Sequence, residues 1–422
     1  MNLSPKQTKK GNQISQSDWY GYYAGFSDSF VSHYISYYAK NFKKPVILDP
    51  WNGGGTTTLV SNSLGLESIG YDINPIALII SKAKLFNPTQ INIEDVKNAV
   101  NHVNYDDIDY EPTNDDLLNN WFSHETVQHI RNVNVIINRI IAGNDYTSIK
   151  LIGIENINCL TAFLNLVLFK TVKALCTNAS CSNPVWVKLE CQDHKIDCAA
   201  EDIWNTFFSI LESLINNYTP ILGAKTIIGK ADSRHIPLNS NSANVIMTSP
   251  PYCTRVDYII SSSIELAVMG YSIDEVEAFR SDMIGTPTIG MNQVGEISDI
   301  NSVSARRVLR KIYSHDSKAA KTYYYKTYFQ YFASMQSSIT EIDRVLTTNG
   351  IVMLVIQDSY FKDILVNVSQ CIKEMFYNLG YQHVFSKSFK ASNNMRYINT
   401  KSRQYNSNTS VDERFIVLRK DN

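Results

Sequence analysis

The sequence predicts an α/β protein of the doubly wound kind, with a helical region inserted into it. Three observations carry that expectation. A short β-branched run at 45–48 breaks into Asp49-Pro50-Trp51-Asn52-Gly53-Gly54-Gly55, with a helix beginning near Thr56. That is the strand–glycine turn–helix order of a nucleotide-type crossover. A second run, 68–71, ends on Asp72, about twenty residues past the glycines, where such folds place a carboxylate for ribose hydroxyls. The unbroken apolar run 351–356 has the character of a central strand covered on both faces.

Composition bounds the rest. With 422 residues, 44% hydrophobic and 19% charged, the chain is long enough for a large core and for a catalytic unit plus an inserted or appended one. A net charge of −1 means that any nucleic-acid contact must use a local basic face. No apolar run reaches membrane-spanning length and no leader-like segment opens the chain, so a cytoplasmic protein with no membrane partner is expected. Seven scattered cysteines fit free thiols better than a disulfide framework.

Residues 1–18 are polar and read as a flexible lead. The stretch 19–86 forms the first part of the main domain. It opens on an aromatic-rich segment whose second half, 27–38, has helical spacing (Phe30, Tyr34, Ile35, Tyr38) behind Ser27 or Asp28 as cap. The glycine turn that follows allows close backbone approach and leaves helix N–H groups free. It lacks the Lys-Ser/Thr ending of a phosphate loop, which disfavours nucleoside triphosphates. Asp72 either accepts ribose hydroxyls or caps the helix 76–85; the order of the elements favours the first.

Residues 87–223 break the alternation. Eight carboxylates against one lysine lie between Glu94 and Asp116, and helical patterns follow at 121–141 and 159–175. This is a mainly helical insertion, a candidate target-recognition region. Cys176, Cys181, Cys191 and Cys198, with His194, are spaced too irregularly for zinc, and no metal is expected.

The second part of the domain, 224–422, resumes with a strand ending at Asp232-Ser233. The next apolar run, 245–247, stops at Ser249-Pro250-Pro251-Tyr252. Adjacent prolines can neither continue a ladder nor start an ordinary helix turn. They leave the Pro250 carbonyl, the Ser249 hydroxyl and the Tyr252 ring on a stiff rim. Beyond it the pattern predicts a helix at 261–269, a turn-rich loop at 280–290 and an amphipathic helix at 329–346. Asn349-Gly350 should turn into the strand 351–356, followed by a helix at 364–379 and a last strand at 413–418. Two basic segments stand out. Residues 306–326 hold seven cationic side chains against Asp316 alone, beside the tyrosines 323–325; they face either nucleic acid or solvent. Residues 387–403 read as a basic, mobile loop.

The glycine segment 49–57 resembles the cofactor loop of S-adenosylmethionine-dependent DNA amino-methyltransferases, and Thr248-Ser249-Pro250-Pro251-Tyr252 resembles their catalytic motif. The resemblance implies a Rossmann-like, mostly parallel seven-stranded sheet, S-adenosylmethionine as cofactor and double-stranded DNA as partner. On it, Ser249, Pro250, Pro251 and Tyr252 are catalytic. The cofactor would meet Tyr23, Phe26, Asp49, Pro50, Asn52, Gly53, Gly55, Thr56, Asp72, Asn74, Asp232 and Ser233. Arg255, Arg306, Arg307, Arg310, Lys311 and Lys321 are assigned to DNA. The chain departs from the family at Trp51, where Phe is common, and at Gly54, where Ser is common. Its insertion also lies ahead of the Asp232 strand, outside the usual places for target recognition.

The chemistry agrees. An exocyclic base amine is a poor nucleophile because its lone pair is delocalised into the ring. Hydrogen-bond acceptors such as the Pro250 carbonyl and Ser249 hydroxyl return density to nitrogen while Tyr252 stacks on the base. Ser before Pro-Pro leans towards cytosine N4, with adenine N6 as the next target. A role in restriction-modification or phage defence, with any nuclease on another chain, is the leading reading. An RNA amino-methyltransferase and a catalytically silent nucleic-acid-binding module are the alternatives.

Overall fold

The computed structural model describes residues 3–5, 15–21, 25, 27–103, 108, 111–143, 150, 153–176, 194–253, 256–285, 295–390 and 412–421. Helix α1 (Asp28–Ala39) is followed by strand β1 (Val46–Asp49), α2 (Thr56–Ser63), β2 (Glu67–Asp72) and α3 (Pro75–Lys84). Asn74 caps α3, accepting from the Ile76 N–H at 3.0 Å, and Pro75 fills the first helical position, where a missing N–H costs nothing. Residues 87–223 supply α4 (Ile93–Asn101), α5 (His124–Val135), α6 (Cys159–Leu175) and α7 (Ala200–Asn216). Then come β3 (Thr226–Lys230), β4 (Ala243–Thr248), α8 (Ser263–Val268), α9 (Ile273–Asp282), α10 (Val303–Tyr313) and α11 (Tyr325–Val345). The chain closes with β5 (Leu346–Gln357), β6 (Ser359–Phe361), β7 (Ile364–Val366), α12 (Val368–Tyr377), β8 (Tyr381–Lys390) and β9 (Asp412–Lys420).

Seven strands form one sheet in the order β3-β2-β1-β4-β5-β9-β8, and β6-β7 is a separate hairpin. The first five are mutually parallel, and β9 runs antiparallel between β5 and β8. The expected mostly parallel, seven-stranded α/β sheet is what the chain forms. The order reverses between β1 and β4, so their carboxyl ends, Asp49 and Thr248, open a crevice at the switch point.

Alternation along the central strands divides the core. Ile47, Val245, Met247, Met353, Val355 and Phe415 pack under α1 and Val60 of α2. Leu48, Ile246, Val352, Leu354 and Ile416 pack under α10, α11 and α12 on the other face. These helices are no satellite: α5, α6 and α7 share one buried cluster with α3 and α8. Arg131 of α5 forms a buried pair with Asp116 and donates to the Ala267 and Val268 carbonyls that end α8. Lys173 of α6 pairs with the buried Glu265 of α8 and donates to the Tyr20 hydroxyl.

Several local expectations are corrected. Arg280 lies in the last turn of α9, not in a loop. Asn349-Gly350 sits inside β5 as a bulge, with Asn349 at φ +61°, because the register jumps between the Ala243–Leu346 and Val245–Ile351 pairs. The helix expected from 364 starts only at Val368, since Ile364–Val366 pairs with Ser359–Phe361 around Lys362 at φ +55°. Lys387 and Lys390 belong to β8, an edge strand, rather than to a loop. The rest of the second basic segment lies outside the described residues.

Candidate active site

Two stretches far apart in sequence meet at the crevice. Gly53 and Gly55 take positive φ, 48° and 81°, so the chain leaving β1 can turn tightly into α2. The Gly53 N–H donates to Asp72 Oδ2 at 2.8 Å, and the Asn74 N–H to Asp72 Oδ1 at 2.8 Å. Burial pushes the Asp72 carboxyl above its usual range, against these donors. At Asp49 burial also wins, over the Thr248 and Thr57 hydroxyls and the Trp51 N–H, and raises the group to about 6.

The glycine turn is stitched to the strand that carries the proline rim. Thr248 Oγ1 donates to Asp49 Oδ1 at 2.5 Å, and Thr57 Oγ1 to the Met247 carbonyl at 3.0 Å. Ser249 Oγ donates to the Val355 carbonyl at 3.0 Å. With its proton spent there, the hydroxyl presents lone pairs only. Among the described residues nothing donates to the Pro250 carbonyl, whereas the Pro251 carbonyl accepts from Tyr331 Oη of α11 at 3.1 Å.

One cleft is lined by Asp49, Pro50, Asn52, Gly53, Thr56, Asp72, Asn74, Asp232, Ser233, Ser249, Pro250 and Pro251. All were singled out in the sequence. Gly55 is not on this wall: it backs onto α3, where an added Cβ would lie 2.6 Å from Ser81 Cβ. Tyr252 is half-buried beside the cleft rather than in its lining, and its carbonyl lies 3.1 Å from where a Cβ on Gly285 would stand. Tyr23, Phe26 and Arg255 lie outside the described residues. The cleft also uses Trp51 and Gly54, the two departures within the glycine segment, and Ile73, Tyr258 and the segment Asp282, Met283 and Ile284, which the sequence did not single out for the site. The Asp282 to Ile284 wall is brought in by tertiary contacts: Gln330 of α11 donates to the Met283 carbonyl and accepts from the Gly285 N–H. No local pattern announces such a contact.

The donor set of the cleft leaves specific groups open. Asn52 and Asn74 are 4% and 2% exposed, and their amide nitrogens have no partner among the described residues. Gly70 makes room for Asn52, since a Cβ there would fall 2.4 Å from its side chain. Asp232 is already engaged. Arg234 Nε donates to both its oxygens at 2.9 Å, and although burial works to raise the carboxyl, these bonds and the guanidinium charge hold it below its usual range.

The basic residues stand apart from the cleft. Arg307, Arg310 and Lys311 are exposed on one face of α10, whose opposite face buries Ala305, Val308, Leu309 and Ile312. Arg306 is tied to the Ile300 carbonyl at 2.6 Å, and Lys321 lies over the Tyr313 ring at 5.4 Å. Among the described residues no group of His, Cys, Asp and Glu is arranged to hold a metal ion. Nor is any described helix long and apolar enough to cross a membrane.

Comparison with known proteins finds similar chains. M.BsoBI of Geobacillus stearothermophilus is 25% identical over 69% of this chain and 60% of its own length. M.MvaI of Kocuria varians is 25% identical over 81% of this chain and 76% of its own. The chain is similar to type II methyltransferases. M.AvaI of a Nostoc species, 22% identical over 64% of this chain, is another. The chain thus spans about three fifths of the first of these methyltransferases. No family model matches it. The resemblance read from the glycine turn and the Ser-Pro-Pro-Tyr rim is borne out by these methyltransferase relatives.

Proposed function

We propose that the chain is a site-specific DNA methyltransferase that moves a methyl group from S-adenosylmethionine to the exocyclic amine of an extruded base. The observation that carries this reading is the pair of acceptors beside the glycine turn. Ser249, whose proton is committed to Val355, and the open Pro250 carbonyl converge on the cleft that also holds Asp72 and Asn74. When bound, the cofactor supplies an electrophilic methyl group. Everything else falls to the chain's own side chains.

The open amide nitrogens of Asn52 and Asn74 offer donors to the cofactor's oxygen atoms. Asp72 retains unused lone pairs for ribose hydroxyls, beyond those the Gly53 and Asn74 N–H groups occupy. Ser249 and Pro250 accept from the base amine, which enriches its nitrogen. Holding that nitrogen in line with the methyl group supplies much of the rate. After transfer the nitrogen loses its extra proton to solvent. Tyr252 is assigned to stacking on the base, with Tyr23 and Phe26 as further parts of the cofactor site and Gly55 shaping the turn from behind it. A duplex must release its base into such a cleft, and the Arg307, Arg310 and Lys311 face of α10, with Arg255, Arg306 and Lys321, is assigned to the phosphates. Cytosine N4 is the favoured target and adenine N6 the next. Service as the modification arm of a restriction or defence system, with the nuclease on another chain, fits the type II relatives.

Transfer of a labelled methyl group to duplex DNA tests the reading. Tyr252→Ala and Asp72→Ala should each lower transfer at least about a hundredfold, the scale of losing a transition-state contact, while circular dichroism stays native. Full activity in both folded variants would sink the site assignment. A structured RNA run alongside separates the RNA alternative. Binding of DNA with no transfer to either substrate would favour the silent module.

A further inference from the structure

Lys84 closes α3 and is only 3% exposed, directly behind the glycine turn. Its Nζ donates to the Gly54 carbonyl at 2.9 Å, its one hydrogen bond among the described residues. One turn earlier on the same helix face, Ser81 fills the space where a Cβ on Gly55 would stand. The peptide joining Gly54 and Gly55 is therefore held at both ends, because its N–H donates to the Asn52 carbonyl at 2.8 Å. Gly54 itself lines the cleft, and its own N–H has no acceptor among the described residues.

A buried ammonium with one hydrogen bond is costly to stability. Burial pushes Lys84 down to about 8; the carboxylates of Asp28 and Asp18 favour its charge and Lys170 opposes it. A packed apolar side chain would suit α3 better, so the position is explained by the turn it supports. We infer that Lys84 is a positioning residue that fixes the glycine turn in its donor-binding shape, and that this support depends on its positive charge. The inference rests on the reading of the cleft as an S-adenosylmethionine site.

Calorimetric titration with S-adenosylhomocysteine, from neutrality to about pH 9.5, tests it on the wild type, Lys84→Met and Lys84→Gln. Lys84→Met should keep a cooperative melting transition and bind at least about tenfold more weakly at neutral pH. In methyl transfer its donor KM should rise by the same factor while kcat at saturating donor stays within about twofold. Wild-type affinity should fall as pH passes about 8, and that step should be missing from both variants. Lys84→Gln, a neutral donor, should bind with intermediate affinity, and it carries the same readouts if the Met variant does not fold. A folded variant with wild-type affinity and an unchanged pH profile overturns the role of Lys84 alone. Failure of the wild type to bind S-adenosylhomocysteine overturns the donor-site reading, and the inference with it.

Discussion

Asp49 is 2% exposed, yet its carboxylate accepts from the Thr248 hydroxyl at 2.5 Å and the Trp51 N–H at 3.1 Å. It ties the glycine turn to the residue just before the proline rim. Burial raises its carboxyl from 3.8 to about 6, so the folded chain holds a proton in a pH window where the unfolded chain has lost it. Stability from this group is therefore present below about pH 4, falls as pH rises to about 6, and remains a fixed penalty above that. Asp49→Asn keeps an oxygen acceptor and removes the charge. It should unfold later than wild type at about pH 8, by up to about 3 kcal/mol, with the gap closing towards pH 4 in denaturant titrations. A variant less stable at every pH would mean that the charged form is the favoured one. The position of Asp49 was legible in the sequence because it ends a strand before glycines. Its partner was not, because the bond closes a separation of 199 residues.

At the scale of elements, α10 presents Arg307, Arg310 and Lys311 to solvent while its N-terminus is anchored from α12. Glu374 accepts from Ser302 Oγ, from the Ser304 N–H at 2.8 Å and from Ser304 Oγ. Burial works against its charge, but these donors prevail and hold it at about 2. That anchoring is present above the usual carboxylate range and is lost as pH falls towards 2. Replacing Arg307, Arg310 and Lys311 together by Ala should reduce the slope of log affinity for duplex DNA against log salt by about 2.7, or roughly 0.9 per phosphate contact. The melting temperature should hold, since all three are exposed. An unchanged slope would make this face a solvated one. The basic run was plain in the sequence, and so were the buried central strands, whose apolar runs are continuous. The edge strand β8 was not: its residues are mostly exposed, so no alternation of apolar and polar marks it. The β6–β7 hairpin was masked in the same way, because its apolar Ile364–Val366 segment matches the start of a helix as well as a strand.

At the scale of the whole molecule, the helices between residues 87 and 223 brace the segment that follows the proline rim. Arg131 and Asp116 are 7% and 3% exposed, and Arg131 also caps the carbonyl end of α8. Arg131→Ala leaves Asp116 buried without its cation and should cost about 3–5 kcal/mol in denaturant unfolding. A loss below about 1 kcal/mol, the surface range, would show that the brace carries little. A shared core cannot be read from the sequence of residues 87–223 alone, because the helices there pack against α3 and α8, which lie before and after them in the chain. What the sequence did supply was the switch-point chemistry: a glycine turn, Asp72 and the Ser-Pro-Pro rim, all of which now face one cleft. In the proposed function the acceptors on this rim direct methyl transfer to a base amine. Purified chain can be incubated with S-adenosylmethionine and duplex DNA, which is then digested to nucleosides and analysed by mass spectrometry. A new N-methylated nucleoside is expected, N4-methyldeoxycytidine first and N6-methyldeoxyadenosine as the alternative. Methylation at carbon 5 of cytosine, or none on any base, would contradict it.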